Sequence, residues 1–137
     1  MADSIRQIEY YYTVVDDKPG KWSWFLQYLS ENKVNMMAFT AFPLGNGESQ
    51  LDFFPEDAGR LRLAADVARV VLTGPKKAFL IQGEDKEGAL LQYHLKLSEA
   101  GINVLAANGA SGGDGRFGYV LWVKPEDYEE AARVLGA

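Results

Sequence analysis

Asp16-Asp17-Lys18-Pro19-Gly20, Leu29-Ser30-Glu31 and Val34-Asn35 return at an offset of 68 as Glu84-Asp85-Lys86-Glu87-Gly88, Leu97-Ser98-Glu99 and Ile102-Asn103. The step from Gly20 to Asn35 equals the step from Gly88 to Asn103. A shared spacing between a turn, a helix end and a strand start implies a shared local fold. Pro55-Glu56-Asp57 recurs as Pro125-Glu126-Asp127 at an offset of 70, so the second copy is slightly longer ahead of its proline, as a turn readily admits. The two copies account for nearly all of the 137 residues. They divide the chain into a first domain, 1–74, and a second, 75–137. A unit of about 70 residues buries only about 60% of its unfolded surface, so the halves are expected to pack as one body.

Composition narrows the partners. The chain is 47% hydrophobic and 24% charged, an ordinary globular balance. Its net charge is −5 and its only basic pair is Lys76-Lys77, which argues against a nucleic-acid or anionic-membrane partner, since both require clustered cations. No cysteine is present, so disulfides, thiolate metal sites and cysteine nucleophiles are excluded. No run approaches the roughly 18 apolar residues of a membrane span, and the N-terminus lacks a signal-peptide core. A cytoplasmic location is expected.

Residues 6–15, with Ile8 and Tyr10-Tyr11-Tyr12-Thr13-Val14-Val15, read as a strand that ends at the Asp-Asp-Lys-Pro-Gly break. Trp22, Phe25, Leu26 and Leu29 then fall on one helix face, and Leu90, Tyr93, His94 and Leu97 take the same four places in the second copy. Val34–Pro43 and Gln50–Phe54 form a predicted hairpin around Gly45-Asn46-Gly47, matched by Val104–Ser111 and Phe117–Val123 around Gly112-Gly113-Asp114-Gly115. Each hairpin leads into a second helix opened by proline with Glu-Asp in its first turn, and Tyr128, Ala131, Ala132 and Leu135 form the apolar stripe of the last one. Val70-Val71-Leu72 reads as a fourth strand before a Gly74-Pro75 break.

Strand, helix, strand, strand, helix, strand is the ferredoxin-like βαββαβ order, an α+β fold with helices on one face of an antiparallel sheet. It occurs once in full and once without an obvious final strand. Open sheet edges are rarely left unprotected, so the gap is filled either by the Val70 strand folding back or by another chain.

Asp-x-Pro-Gly after a first strand, a helix ending Leu-Ser-Glu, and a branched residue followed by asparagine resemble the ACT domain, a small regulatory module of ferredoxin-like fold. The resemblance covers both copies and implies a free-standing tandem ACT protein with no catalytic domain. In that family paired domains align side by side, and a ligand, usually an amino acid, sits between the first loop of one domain and the second strand of its neighbour. Carried onto this chain, the ligand-binding candidates are Asp17, Gly20 and Asn35 in the first copy and Asp85, Gly88 and Asn103 in the second. Gly88-Ala89-Leu90 is also similar to the Gly-Ala-Leu motif of phenylalanine-sensing members. Their companion Glu-Ser-Arg-Pro stands here as Thr40-Ala41-Phe42-Pro43, with only the proline kept.

The residue chemistry is compatible with a zwitterion. Glycine lets backbone N–H groups approach a carboxylate, an aspartate meets an ammonium group, and an asparagine amide serves either. The same residues also serve as ordinary turn formers. Small Ala89 after Gly88, against bulky Lys21-Trp22 after Gly20, favours the second loop. Gly113 to Gly118 matches G-x-G-x-x-G by letter but runs into a strand rather than a helix, so it reads as a hairpin turn. His94, the only histidine, reads as a satisfied imidazole rather than a catalytic one. Glu126, Asp127, Glu129 and Glu130 read as a solvated helix face. Trp24 and Tyr28 lie opposite the core stripe of the first helix and mark either a homodimer interface or a surface covered in cis.

These features point to a non-catalytic amino-acid-binding regulatory module of amino-acid metabolism, expected to form a homo-oligomer, with no cofactor, metal, nucleic-acid or membrane partner. An interaction or scaffold module that has lost its ligand is the alternative. No nucleophile-base pair or metal cluster emerges to suggest an enzyme.

Overall fold

The computed structural model describes residues 3–137. The fold is α+β, with six strands in the order β2-β3-β1-β4-β6-β5 and four α-helices. The strands are β1 (Ser4–Asp16), β2 (Met36–Pro43), β3 (Glu48–Pro55), β4 (Thr73–Glu84), β5 (Val104–Ser111) and β6 (Arg116–Val123). The helices are α1 (Lys21–Glu31), α2 (Ala58–Ala68), α3 (Leu91–Glu99) and α4 (Tyr128–Leu135). The chain forms two compact units, Glu9–Lys76 and the described residues up to Ile8 with Lys77–Ala137. The N-terminal strand residues, expected in the first domain, thus pack with the second unit.

In the first unit β3 lies between β1 and β2, with Tyr11 opposite Phe53 and Phe39 opposite the same Phe53 on its other side. Alternation along β1 and β3 sends Tyr11, Leu51 and Phe53 to the helix side, where they pack with Phe25, Leu29, Leu61, Ala64, Ala65 and Ala68 in one buried core. Phe25 meets Phe53 edge-on at 5.3 Å between ring centroids. The second unit repeats this with Phe79, Ile81, Tyr93, Leu97, Tyr119, Leu121, Tyr128, Ala131 and Leu135. Tyr128 stacks on Phe79 at 4.4 Å and donates its hydroxyl to the Ala78 carbonyl at 2.8 Å. The expected stripe Tyr128, Ala131, Ala132 and Leu135 is buried throughout.

The repeat persists in the backbone. Val34 N–H bonds to the Leu29 carbonyl and Ile102 N–H to the Leu97 carbonyl, both at 2.9 Å. The residues before them, Lys33 and Gly101, take positive φ values of 57° and 72°, the left-handed turn that closes a helix. Both edge strands carry an irregularity at the same place, Met36/Ala38 and Val104/Ala106.

The structure departs from expectation at three places. Val70-Val71-Leu72 is not a strand. Arg69 ends α2 in the left-handed conformation and Val70 N–H closes onto the Ala65 carbonyl at 2.8 Å, leaving Val70 and Leu72 to pack on the first core. The strand starts at Thr73 and runs through Gly74-Pro75, a cis peptide. Proline is tolerated there because β6 pairs with β4 only from Phe79 onward, so its missing N–H breaks no ladder on that side. The second unit's missing strand is supplied neither by Val70 nor by another chain, but by the start of β1. Asp3 lies against Gly83, Arg6 donates to the Gln82 side chain at 3.2 Å, and Tyr93 and Gln92 both donate to the Asp3 carboxylate. Finally, Pro55 ends β3 rather than opening α2. Asp57 caps that helix by accepting from the Gly59 and Arg60 amides, whereas Pro125–Asp127 forms a 3-10 turn before α4.

Candidate functional site

Asp17 and Asp85 begin equivalent loops. Asp17 N–H donates to the Gly47 carbonyl and Asp85 N–H to the Gly115 carbonyl, both at 2.9 Å, so each loop is tied to the hairpin turn of its own unit. Gly20 and Gly88 have φ values of 90° and 68°, which only glycine adopts without strain. A Cβ at either would meet no atom within 4 Å, so the backbone path rather than crowding demands glycine.

From there the units diverge. In the first, Gly20 caps α1, which starts at Lys21. In the second, Ala89 and Leu90 continue the turn and α3 starts only at Leu91. The amides of Ala89 and Leu91 bond to the Lys86 and Gly88 carbonyls, so these two N–H groups, expected to await a carboxylate, are spent inside the turn.

Beside this opened turn lies a recess of about 470 Å³ running from Asp85, Gly88, Ala89 and Leu90 to Gly109, Ser111 and Tyr119. The Ser111 hydroxyl donates to Asp85 Oδ2 at 2.8 Å and holds the carboxylate at the exposed end. Tyr119, nearly buried, lies across the facing strand. A Cβ on Gly109 would come 2.7 Å from its Cδ1, so the ring occupies the space a side chain at 109 would need. The Tyr119 hydroxyl and His94 Nε2 are hydrogen-bonded at 2.8 Å. Burial pushes the Tyr119 phenol above its ordinary value, so it is a neutral hydroxyl at physiological pH. The first unit's hollow, about 450 Å³, is confined to the loop and helix start from Asp17 to Ser23 and reaches no strand.

Of the residues expected from sequence, Asp85, Gly88, Ala89 and Leu90 come together in the second recess, and Asp17 and Gly20 line the first hollow. Asn35 and Asn103 join neither. They precede β2 and β5, whereas the loops sit by the far ends of those strands, where Pro43 faces Ser49 and Ser111 faces Phe117. Eight residues of strand, roughly 26 Å at about 3.3 Å each, separate each asparagine from the loop of its own unit. Both asparagines are exposed. Gly109, Ser111, Phe117 and Tyr119 were missed, although the offset between copies, by aligning Gly109 with Ala41 and Tyr119 with Leu51, carried a signal for them.

His94 has the partner expected of a satisfied imidazole. Trp24, 45% exposed, packs edge-on against half-buried Tyr28 at 5.4 Å. Among the described residues no group of three His, Asp or Glu side chains is placed to hold a metal ion, and no helix is long and apolar enough to cross a membrane.

No protein-family model and no curated protein matches the chain. Solved structures do. Protein BT0572 from Bacteroides thetaiotaomicron superimposes with a TM-score of 0.82 at 14% identity, over 96% of this chain and 88% of that one. The regulatory subunit of aspartate kinase from Thermus thermophilus gives 0.62 at 15% identity, over 98% and 94% of the two chains. The corresponding subunit from Thermus flavus gives 0.64 at 12% identity, over 99% and 95%. At these identities the likeness is one of fold: this chain has the fold of those regulatory subunits along nearly its whole length.

Proposed function

We propose that the chain is a non-catalytic regulatory module that binds an amino acid, built from two ferredoxin-like, ACT-type units in tandem and acting in the cytoplasm within amino-acid metabolism. The observation that carries this reading is the second-unit recess, where a carboxylate fixed by Ser111 stands at the exposed end of an otherwise largely apolar hollow. An ammonium group suits Asp85, and Ala89, Leu90, Leu91 and Phe117 offer contact to a hydrocarbon body. The fold shared with aspartate kinase regulatory subunits supports a regulatory role. In this reading the second recess is the working site and the first-unit hollow, with Asp17 and Gly20, is secondary. Asn35 and Asn103 remain candidates only for contact with a neighbouring domain.

Calorimetric titration of the full chain with the twenty common amino acids is the test. Binding by at least one of them below about a millimolar is expected, and its weakening by about tenfold or more in Asp85→Asn. Absence of any binding would remove the amino-acid reading.

A second reading, an interaction module, is favoured by the exposed apolar side chains of the first unit, Trp24, Leu63, Val67 and Val71. It predicts self-association that Trp24→Glu weakens, measured by light scattering. A mass matching a single chain at tens of micromolar would count against it.

A further inference from the structure

We propose that His94 and Tyr119 form the selectivity element of the second-unit recess, and that its ligand is an amino acid whose side chain ends in an uncharged hydrogen-bonding group. The inference rests on the amino-acid reading of the recess and adds the class that it selects.

The first observation is an exchange between repeats. His94 and Tyr119 take the places of Leu26 and Leu51, of which Leu51 is wholly buried and Leu26 packs on the first core. Nothing in the scaffold requires polar groups there, since the first unit builds the same helix-on-strand contact from two leucines. A polar group held in a largely apolar setting is unfavourable unless it is hydrogen-bonded. The 2.8 Å bond between the two side chains meets that need only in part: a hydroxyl both donates and accepts, and one bond leaves it capacity for another.

The second observation is access. Tyr119 lines the recess directly, and the glycine at 109 lets its ring lie across β5.

The third is charge. The ionisable side chains lining the recess, apart from the neutral Tyr119 phenol, are Asp85 and Lys86, both on the exposed loop. A ligand group ionised beside Tyr119 would be desolvated without a counter-charge among those lining residues. An amide or hydroxyl meets the donor and acceptor capacity of the pair without that penalty.

The experiment titrates the full-length chain, its Tyr119→Phe and its His94→Leu variants with three near-isosteric pairs: threonine and valine, asparagine and leucine, glutamine and methionine. His94→Leu installs the residue that the first unit already carries at the matching place, and Tyr119→Phe removes one oxygen, so two independent variants guard against a folding defect in either. The wild type is expected to prefer the polar member of at least one pair by about tenfold. Both variants are expected to weaken the polar member by about tenfold and to leave the apolar member within twofold, a change of ratio that a merely structural role would not produce. Preference for the apolar member in every pair, or a ratio unchanged in both variants, overturns the selectivity assignment alone. Failure of the wild type to bind any of the twenty amino acids overturns the amino-acid reading and this inference with it.

Discussion

Trp22 and Leu90 hold the same place in the two copies, as do Phe39 and Ala107. In the first unit Trp22 stands edge-on to Phe39 at 6.3 Å between ring centroids; in the second unit Leu90, at the place of Trp22, lines the recess. Ala107 takes the place of Phe39 with a far smaller side chain, and Gly109, which lines the recess, replaces Ala41. The hydrogen bonds at the helix ends and between loop and hairpin turn are the same in both units, whereas the loop of the second runs on for two residues before its helix begins. The two units therefore share most of their backbone, and a later helix start together with smaller side chains accompanies the hollow in the second. A site of this kind is made by omission as much as by added chemistry.

The largest effect is expected from transplanting the first unit's aromatic pair into the second. Leu90→Trp combined with Ala107→Phe should lower affinity for any ligand of the second recess by more than about a hundredfold, because the occupied volume is the site itself. The melting temperature should stay within a few degrees, since the first unit tolerates the same pair. A double variant that still binds with wild-type affinity would place the ligand elsewhere. Asp85→Asn is expected to act next most strongly. Loss of a charged hydrogen-bond partner costs about 1.5 to 3 kcal/mol, read as a tenfold or greater rise in Kd by calorimetry, with thermal stability unaltered because Asp85 is exposed.

A third difference lies on β3 and β6, where buried Asp52 of the first unit matches Val120 of the second. Desolvation pushes the Asp52 carboxyl above its ordinary value of 3.8, against the opposing effects of the Gln50 hydrogen bond and of Lys76. With the folded pKa raised, the folded chain holds its proton more tightly than the unfolded chain. Stability from this group is then greatest below pH 3.8 and falls as pH rises through the folded value. Asp52→Asn should remove that slope, giving a gain in stability at pH 7 that disappears by about pH 3. Denaturant titration at the two pH values measures it, and an equal effect at both would refute the assignment. The smallest effect is expected from Asn103→Ala. With the asparagine exposed and at the far end of β5, affinity of the recess should change by less than about twofold.

The repeat in the sequence disclosed the elements because turn glycines and apolar periodicity act locally, and the paired copies confirm one another at Gly20 and Gly88 and along the helix stripes. What was hidden depends on pairing across long separations. Nothing local in Asp3 to Gln7 reveals that this segment completes a unit whose remainder begins at Lys77, and Gly74-Pro75 carries every local sign of a break although the strand continues through it. Val70 and Leu72 have strand propensity, but the left-handed turn at Arg69 directs them to the core. The loop that lines the candidate recess was legible in the sequence and its walls were not. Asp85 to Leu90 are contiguous, whereas Ser111 and Tyr119 reach the loop only through the β5–β6 register. The asparagines came from the family resemblance, which pairs a loop with a neighbouring domain's second strand, and within their own units a strand length separates them from the loop.

The segment Asp3–Ile8 belongs to a unit whose other residues begin at Lys77. During synthesis the first unit's residues, Glu9–Lys76, are all made before that partner exists, so the leading segment must wait unpaired while the domain behind it assembles. Closing such a loop of about 70 residues carries an entropy that grows only logarithmically with length, so the delay is one of order rather than of equilibrium. During that interval the same segment is equally competent to join the second unit of another copy. Crowded production of this chain should therefore yield strand-exchanged dimers at the expense of monomers, in proportion to concentration during folding and not to concentration afterwards.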